Sequence, residues 1–316
     1  MQVKKIGYHK SLVIKDNKKL RLYPDDVLVC VFGNRYATDA YEGEVDGLDN
    51  ICMLTAAGMI GTLKSKHKEI EDPTLVSFLG FIGDKNGNIL NLKEKKFTIH
   101  PPIKEMKNLI LVLGTGMNAG KTTTARKLIK LLTEAGLSVV ACKLTGSVSN
   151  RDQDEMRAAS PKLTIDFSDY GFPSTYMCDK SELVSLFNAM LSDISKTNPD
   201  VIIMEIADGI LQRETDMLLK EECVLQNTKG VVLAANDAPS AIYAANRMNN
   251  MGYTVIAVSG SITSSPLSTK EFAQHSSIPI CSSANAGREL TNTVINFLDN
   301  ETIGKTLAPK FCIKTI

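Results

Sequence analysis

From residue 108 onward, short continuous apolar runs alternate with longer stretches whose apolar residues recur every three or four positions. The runs at 108–113, 137–143, 201–204, 231–234, 255–258 and 278–280 are apolar on both faces, as strands buried inside a parallel sheet are. Between them, Leu183, Val184, Leu186, Phe187, Met190, Leu191 and Ile194 predict a helix over 180–196. Asp179 precedes it and Glu182 follows three residues later, the spacing of a capping box. Another amphipathic helix is predicted through 125–132, with others at 239–250, 268–275 and 286–298. Strands alternating with helices predict an α/β fold: a parallel sheet with helices on both faces.

The first hundred residues follow another rhythm. Apolar runs at 27–32 and 75–82 read as strands, and Asp84-Lys85-Asn86-Gly87-Asn88 carries the Asn-Gly pair of a tight hairpin. Glycines at Gly33, Gly58 and Gly61 punctuate the stretch further. His100-Pro101-Pro102 ends it, because prolines break regular structure and hold the preceding residue extended. A chain of 316 residues exceeds what one core usually serves, so two domains are expected. They are a small mainly β domain over 1–104 and a nucleotide-binding domain over 105–316.

Composition narrows the partners. With 43% hydrophobic and 22% charged residues the chain has the make-up of an ordinary globular protein, and its formal charge of +1 offers nothing to nucleic acid or an anionic membrane. No apolar run approaches the ~18 residues of a membrane span, and the N-terminus lacks a signal-peptide core. The seven cysteines are dispersed with no C-x-x-C pair, which predicts reduced thiols and a cytoplasmic location. The four histidines (His9, His67, His100, His275) fall in no zinc or triad spacing.

Chemistry concentrates at three places. Gly114-Thr115-Gly116-Met117-Asn118-Ala119-Gly120-Lys121-Thr122-Thr123 joins a buried strand to an amphipathic helix. In that setting Gly116, Met117, Asn118, Ala119, Gly120, Lys121, Thr122 and Thr123 are expected to cradle phosphates with backbone N–H groups and the helix dipole. Lys121 would reach the terminal phosphates and Thr122 would hold Mg²⁺. The second place is Glu205 at the end of an apolar strand, a candidate Mg²⁺ ligand, with Asp208 close behind. The third is Lys143, placed to add a second cation, followed by a polar stretch in which Asp152 or Asp154 is either a metal ligand or a solvated loop charge. The segment 169–176, with two tyrosines and two hydroxyl residues, is either a substrate-lining loop or a packed turn. Arg213 reads as half of an ion pair, and Asn236-Asp237-Ala238-Pro239 as a helix start, no Asn-Lys-x-Asp guanine signature being present.

Together the three pieces resemble the dethiobiotin synthetase-like branch of P-loop NTPases over about residues 108–300. That resemblance implies a P-loop NTPase-type sheet in which Lys121, Lys143 and Glu205 are catalytic. It further implies that Thr122, Glu205 and Asp152 or Asp154 handle Mg²⁺ on bound ATP. Gly116 and Met117 stand where that family's loop has Asp and Thr, and Leu144 replaces the proline after the strand lysine, which argues against dethiobiotin synthesis itself. The expected activity is Mg²⁺-dependent, ATP-using activation of a small-molecule acceptor by phosphoryl transfer, of ligase or kinase type, in a homodimer. Two other readings stay open: a nucleotide-gated regulatory or maturation NTPase acting on a protein, and a P-loop binder of coenzyme A-type cofactors.

Overall fold

A computed structural model describes residues 1–97, 106, 108–282 and 287–299. The first part is mainly β: β1 (Gln2–Lys5), β2 (Ser11–Val13), β3 (Lys19–Arg21), β4 (Val31–Phe32), β5 (Tyr41–Glu44), β6 (Ile51–Met53), β7 (Met59–Lys66) and β8 (Leu75–Ser77). One sheet runs β1-β8-β6-β7-β4 with β5 also on β7, all antiparallel except β4 on β7; β2 and β3 pair separately. Alternation along the strands feeds both faces: Ile51, Met53 and Ile60 pack with Val3 and Val76, while Cys52, Leu54 and Met59 pack with Tyr41.

Pairing here is shorter than the apolar runs predict. Of 27–32 only β4 and a bridge from Val27 to Gln2 form, leaving Val27 and Val29 exposed at 71% and 74%. Of 75–82 only β8 joins the sheet, and Ile82 at the far end accepts instead from the Leu90 amide at 2.8 Å. The Asn-Gly turn does form, with Gly87 at φ 84° and Asp84 accepting from the Asn86 and Asn88 amides at 2.8 and 3.0 Å. It carries just one antiparallel bridge, Gly83 to Ile89. A short helix, α1 (Leu92–Lys96), then starts at Asn91, whose side chain accepts from the Lys93 amide. The proline pair at 101–102 lies outside the described residues.

The second part alternates β9 (Leu109–Gly114), α2 (Lys121–Glu134), β10 (Val139–Lys143), α3 (Asn150–Arg157), β11 (Leu163–Asp166), α4 (Lys180–Ser195) and β12 (Val201–Glu205). It continues through α5 (Arg213–Leu219), α6 (Glu222–Asn227), β13 (Thr228–Ala234), α7 (Ala238–Asn250), β14 (Val255–Ser259), α8 (Pro266–His275) and α9 (Gly287–Asp299). Six strands pair in the order β11-β10-β12-β9-β13-β14, all parallel. Every residue of β9, β10, β12 and β14 is buried, as a sheet covered on both sides requires. Leu183, Leu186 and Phe187 of α4 and Ala241 and Ala245 of α7 cover one face. Ala125, Leu128 and Leu132 of α2 and Leu290 and Val294 of α9 cover the other.

The predicted capping box is present at α4: the Asp179 amide donates to Glu182 at 3.2 Å, and the Asp179 side chain accepts from the third-position amide. Asp237 caps α7 by accepting from the Ser240 amide at 2.8 Å. The run at 278–280 contributes only a bridge, Ile280 to Val258. The polar stretch expected as a loop after Lys143 folds into α3, anchored by buried Met156. The decisive topological fact is that β12 lies between β9 and β10. The carboxyl ends of all three strands, and hence Gly114, Lys143 and Glu205, meet at one edge of the sheet, where ligands of such sheets collect.

Candidate phosphate-binding site

The loop between β9 and α2 is shaped by what its glycines omit. A Cβ at Gly114 would lie 2.8 Å from Cγ and Cδ of Lys121, so the lysine stem crosses the strand end. One at Gly209 would lie 2.9 Å from the Thr115 carbonyl, so the chain after β12 closes against the loop. Asn118 (φ 60°) and Gly120 (φ 94°) are left-handed and bend the backbone into the start of α2. The first amides of such a helix have no partner within it and face the positive end of its dipole. Lys121 is buried, and its ammonium donates to the Gly116 carbonyl at 2.8 Å.

Beside the loop, Lys143 and Glu205 stand in register on adjacent strands. Glu205 is 1% exposed. Its Oε1 accepts from Thr122 Oγ1 at 3.1 Å and lies 3.3 Å from Lys143 Nζ. Its Oε2 is buried with no hydrogen-bond partner among the described residues. A buried carboxylate oxygen left in this state costs free energy unless a ligand completes it. A Mg²⁺ ion bound by one carboxylate, a hydroxyl, phosphate oxygens and water fits that gap in its bonding. Among the described residues no three His, Cys, Asp or Glu side chains gather into a protein-only metal cage.

Of the other candidates, Asp154 is not brought to Glu205. Its carboxylate takes a hydrogen bond from Asn17 and pairs with Arg157 at 3.6 Å, because α3 turns it toward the first part of the chain. The side chain of Asp152 lies outside the described residues. Two acids come closer. Asp166 aligns with Lys143 on β11, but its oxygen accepts from the Ser168 amide and hydroxyl at 2.8 and 2.6 Å, so it caps a turn. Burial pushes its carboxyl up from the ordinary range, and the Ser168 hydrogen bonds and then Lys143 partly offset this. Asp208, in a left-handed conformation (φ 61°), is raised to about 6, chiefly by burial, with Lys121 and Lys143 opposing.

The segment 169–176 divides. Tyr170 donates to Asp193 at 2.8 Å and Phe172 packs edge-on against Phe97 at 5.1 Å, both structural. Thr175 Oγ1 accepts from the Gly146 amide at 2.9 Å, and Ser174, Thr175 and Tyr176 line a small polar pocket with Asp208 and Glu214. Arg213 does form an ion pair, with its neighbour Glu214, which is itself buried and accepts from the Met177 amide at 2.9 Å.

Sequence reasoning did not name the residues that the first part contributes. Tyr36 packs its ring at a tilt against Tyr176, centroids 5.5 Å apart, and lines that pocket. Asn118 donates to Asp39 at 3.0 Å, and the Thr38 amide and hydroxyl reach Met117 Sδ at 3.2 and 3.3 Å. The tip of the phosphate loop is therefore held by the 38–39 turn. Nothing in a loop lying about eighty residues upstream signals that contact.

A glycine-rich loop joining a central strand of a parallel sheet to a helix, with an acid at the end of the neighbouring strand, defines a P-loop NTPase-type fold. No family model and no curated protein matches the chain. Among solved structures it is similar to the signal recognition particle receptor FtsY from Elizabethkingia anophelis, with 16% identity, TM-score 0.39, and 66% of this chain and 70% of that one covered. FtsY from Mycoplasma mycoides gives 14%, 0.42, 66% and 74%. The kinase domain of the Escherichia coli tyrosine kinase ETK gives 15%, 0.35, 49% and 68%. Likeness at this level carries no assignment of activity. Among the described residues no helix is long and apolar enough to cross a membrane.

Proposed function

We propose that the protein is a Mg²⁺-dependent, ATP-using enzyme that activates a small-molecule acceptor by phosphoryl transfer. The observation that carries this reading is the convergence of Lys143 and Thr122 on buried Glu205, one of whose oxygens has no partner among the described residues, at the end of the loop that carries Lys121. Two ammonium groups at one crevice suit the charge that builds on a transferring γ-phosphoryl group. Thr122 and Glu205 would hold the Mg²⁺, which when bound neutralises charge across the phosphates. Loop amides would orient the β-phosphate. Lys121, on leaving the Gly116 carbonyl, would bind the γ-phosphate, and Lys143 would meet the same group from β10. The acceptor oxygen bonds to the γ-phosphorus as the bond to the β-bridging oxygen breaks, and ADP leaves. The lysine–lysine–glutamate set follows the dethiobiotin synthetase-like pattern; Gly116 and Met117 do not, which removes side chains at the reacting end and points to another acceptor.

The test is ATP turnover in the full-length protein against a metabolite panel, with Lys121→Ala alongside. The variant should stay folded and lose at least about 100-fold in turnover, as removal of one transition-state donor does elsewhere. Full activity in Lys121→Ala, or hydrolysis indifferent to every metabolite yet accelerated by a protein, would overturn the proposal.

A further inference from the structure

The small polar pocket beside the phosphate site has a free volume of about 10 Å³, room for one water-sized group. It flanks the lysine of β10: a Cβ on Gly146, one of its walls, would lie 3.3 Å from Lys143 Cε and 3.5 Å from Ala207 Cβ. Another wall, Asp208, links it to the phosphate loop. The next residue, Gly209, packs directly on Thr115 and Gly116, and the charges of Lys121 and Lys143 both act on the Asp208 carboxylate. A γ-phosphoryl group held by those two lysines therefore has this pocket for a neighbour.

Most of the pocket's polar groups are already bonded. Thr175 Oγ1 accepts from the Gly146 amide, Thr145 Oγ1 from the Ala207 amide at 2.9 Å, and Ser174 Oγ from the Tyr176 amide at 3.1 Å. Glu214 is held by Arg213, Gln212 and the Met177 amide. Asp208 differs: it is partly exposed, and among the described residues its carboxylate takes no hydrogen bond. It also stands in the left-handed region, at φ 61°, pinned on either side by the Ala207 bond to Thr145 and by the Ile210 amide donating to Gly114 at 2.9 Å. That conformation costs a residue with a Cβ more than glycine, and such strain gathers at functional sites whose surroundings enforce it. Charge then sets what fits. A carboxylate or an ammonium would gain from one set, Asp208 and Glu214 or Lys121 and Lys143, what it loses to the other, and would lose its hydration besides. A hydroxyl is neutral and water-sized, and offers Asp208 the donor it lacks.

We propose that this pocket receives the acceptor's attacking hydroxyl and that Asp208 is the base that removes its proton, so that the acceptor is an alcohol. The hydroxyl donates to the Asp208 carboxylate. As its oxygen bonds to the γ-phosphorus, the O–H electron pair stays on that oxygen and the proton passes to Asp208. The bond from phosphorus to the β-bridging oxygen breaks with its pair going to ADP, and Asp208 gives the proton to water after the product leaves. Raised by burial to about 6, with Lys121 and Lys143 opposing, the carboxyl is ionised at neutral pH and ready to accept. This role for Asp208 rests on the phosphoryl-transfer reading and names the acceptor class within it.

The experiment is Mg²⁺–ATP turnover by the full-length protein with water alone and with glycerol, myo-inositol, D-ribose, succinate and putrescine in turn, products being identified by phosphorus NMR. Any product formed should be a phosphate monoester of an alcohol; where none of these alcohols is taken, water stands in for the hydroxyl and hydrolysis is the readout. Asp208→Asn should lower turnover about 100- to 10,000-fold, the range of one general base. Asp208→Gly, which suits the left-handed backbone, should lose as much. Both variants should keep the calorimetric affinity for a non-hydrolysable ATP analogue and the Mg²⁺ concentration for half-maximal rate within about twofold. Unfolding temperatures check that each is folded. Turnover within about tenfold of wild type in either variant would overturn the proposal, and so would a raised Mg²⁺ requirement with the rate restored at saturation, which would make Asp208 a metal ligand. An acyl phosphate of succinate or a phosphoramidate of putrescine would overturn the alcohol while phosphoryl transfer stands. Turnover lost in Lys121→Ala but kept in both Asp208 variants separates the two in the same way. Wild-type protein that turns over no ATP under any of these conditions removes phosphoryl transfer and this role together.

Discussion

The Lys143–Glu205 pair is the part of the site whose energetics can be worked out before any substrate is known. The two side chains are 8% and 2% exposed, with 3.3 Å between Lys143 Nζ and Glu205 Oε1. Glu205→Gln keeps the volume and the bond from Thr122 but leaves a buried ammonium short of its counter-charge. Breaking one side of a buried pair costs about 3–5 kcal/mol. The lower figure applies, because Asp166 and Asp208 also lie in the field of Lys143. Lys143→Met strands the carboxylate instead and should cost about the same, ~3 kcal/mol. The double variant buries neither charge and should cost no more than about 3 kcal/mol, well below the ~6 of simple addition. Urea denaturation of all four proteins at pH 7.5 without nucleotide gives the coupling directly. Additivity within ~0.5 kcal/mol would mean that the pair does not interact in the folded protein, and the assembly of the site around it would fail as well.

Two further outcomes follow from the same crevice. Gly260→Ala should destabilise by ~3 kcal/mol or more, since φ is 93° there and the added Cβ would lie 2.2 Å from the Ala119 carbonyl; an unchanged melting temperature would refute that backbone path. Asp208 has a folded pKa of about 6 against an ordinary 3.8, so the folded state binds its proton more tightly. Stability should therefore fall as pH rises between those values, with roughly 2–3 kcal/mol lost above pH 6. Asp208→Asn should flatten that slope and melt higher than wild type at pH 7.5; equal slopes in the two proteins would refute it.

The second half of the chain was legible because its strands are buried on both faces, and such strands have to be written in continuous apolar residues. The capping box at Asp179 and Glu182 was legible for a similar reason: its bonds are local. β11 was not, because Leu163-Thr164-Ile165-Asp166 is short and half polar, with only two of its four residues buried. α3 was hidden because its helix is mostly charged and is held by a few contacts such as Met156. In the first half, the apolar runs overstate the strands. Val27, Val29, Leu79 and Phe81 are apolar yet exposed, so pattern and pairing part company. At the site, Lys121, Thr122, Lys143 and Glu205 could be named because each sits at a fixed offset from a strand end. Tyr36 and Asp39 could not, since only the packing of two distant segments brings them there.

The turn that grips Met117 and Asn118 has a thermodynamic consequence. Residues 35–39 carry, within five positions, both the guanidinium that packs over the Tyr41 ring in the first part's core and the side chain that restrains the phosphate loop. Two occupants that each bias this short backbone share one equilibrium. Whatever factor nucleotide imposes on affinity for a ligand of the first part of the chain, that ligand must impose on nucleotide. A ligand of the first part of the chain would then be felt as a change in how tightly the second part holds its phosphates, with no contact between ligand and loop.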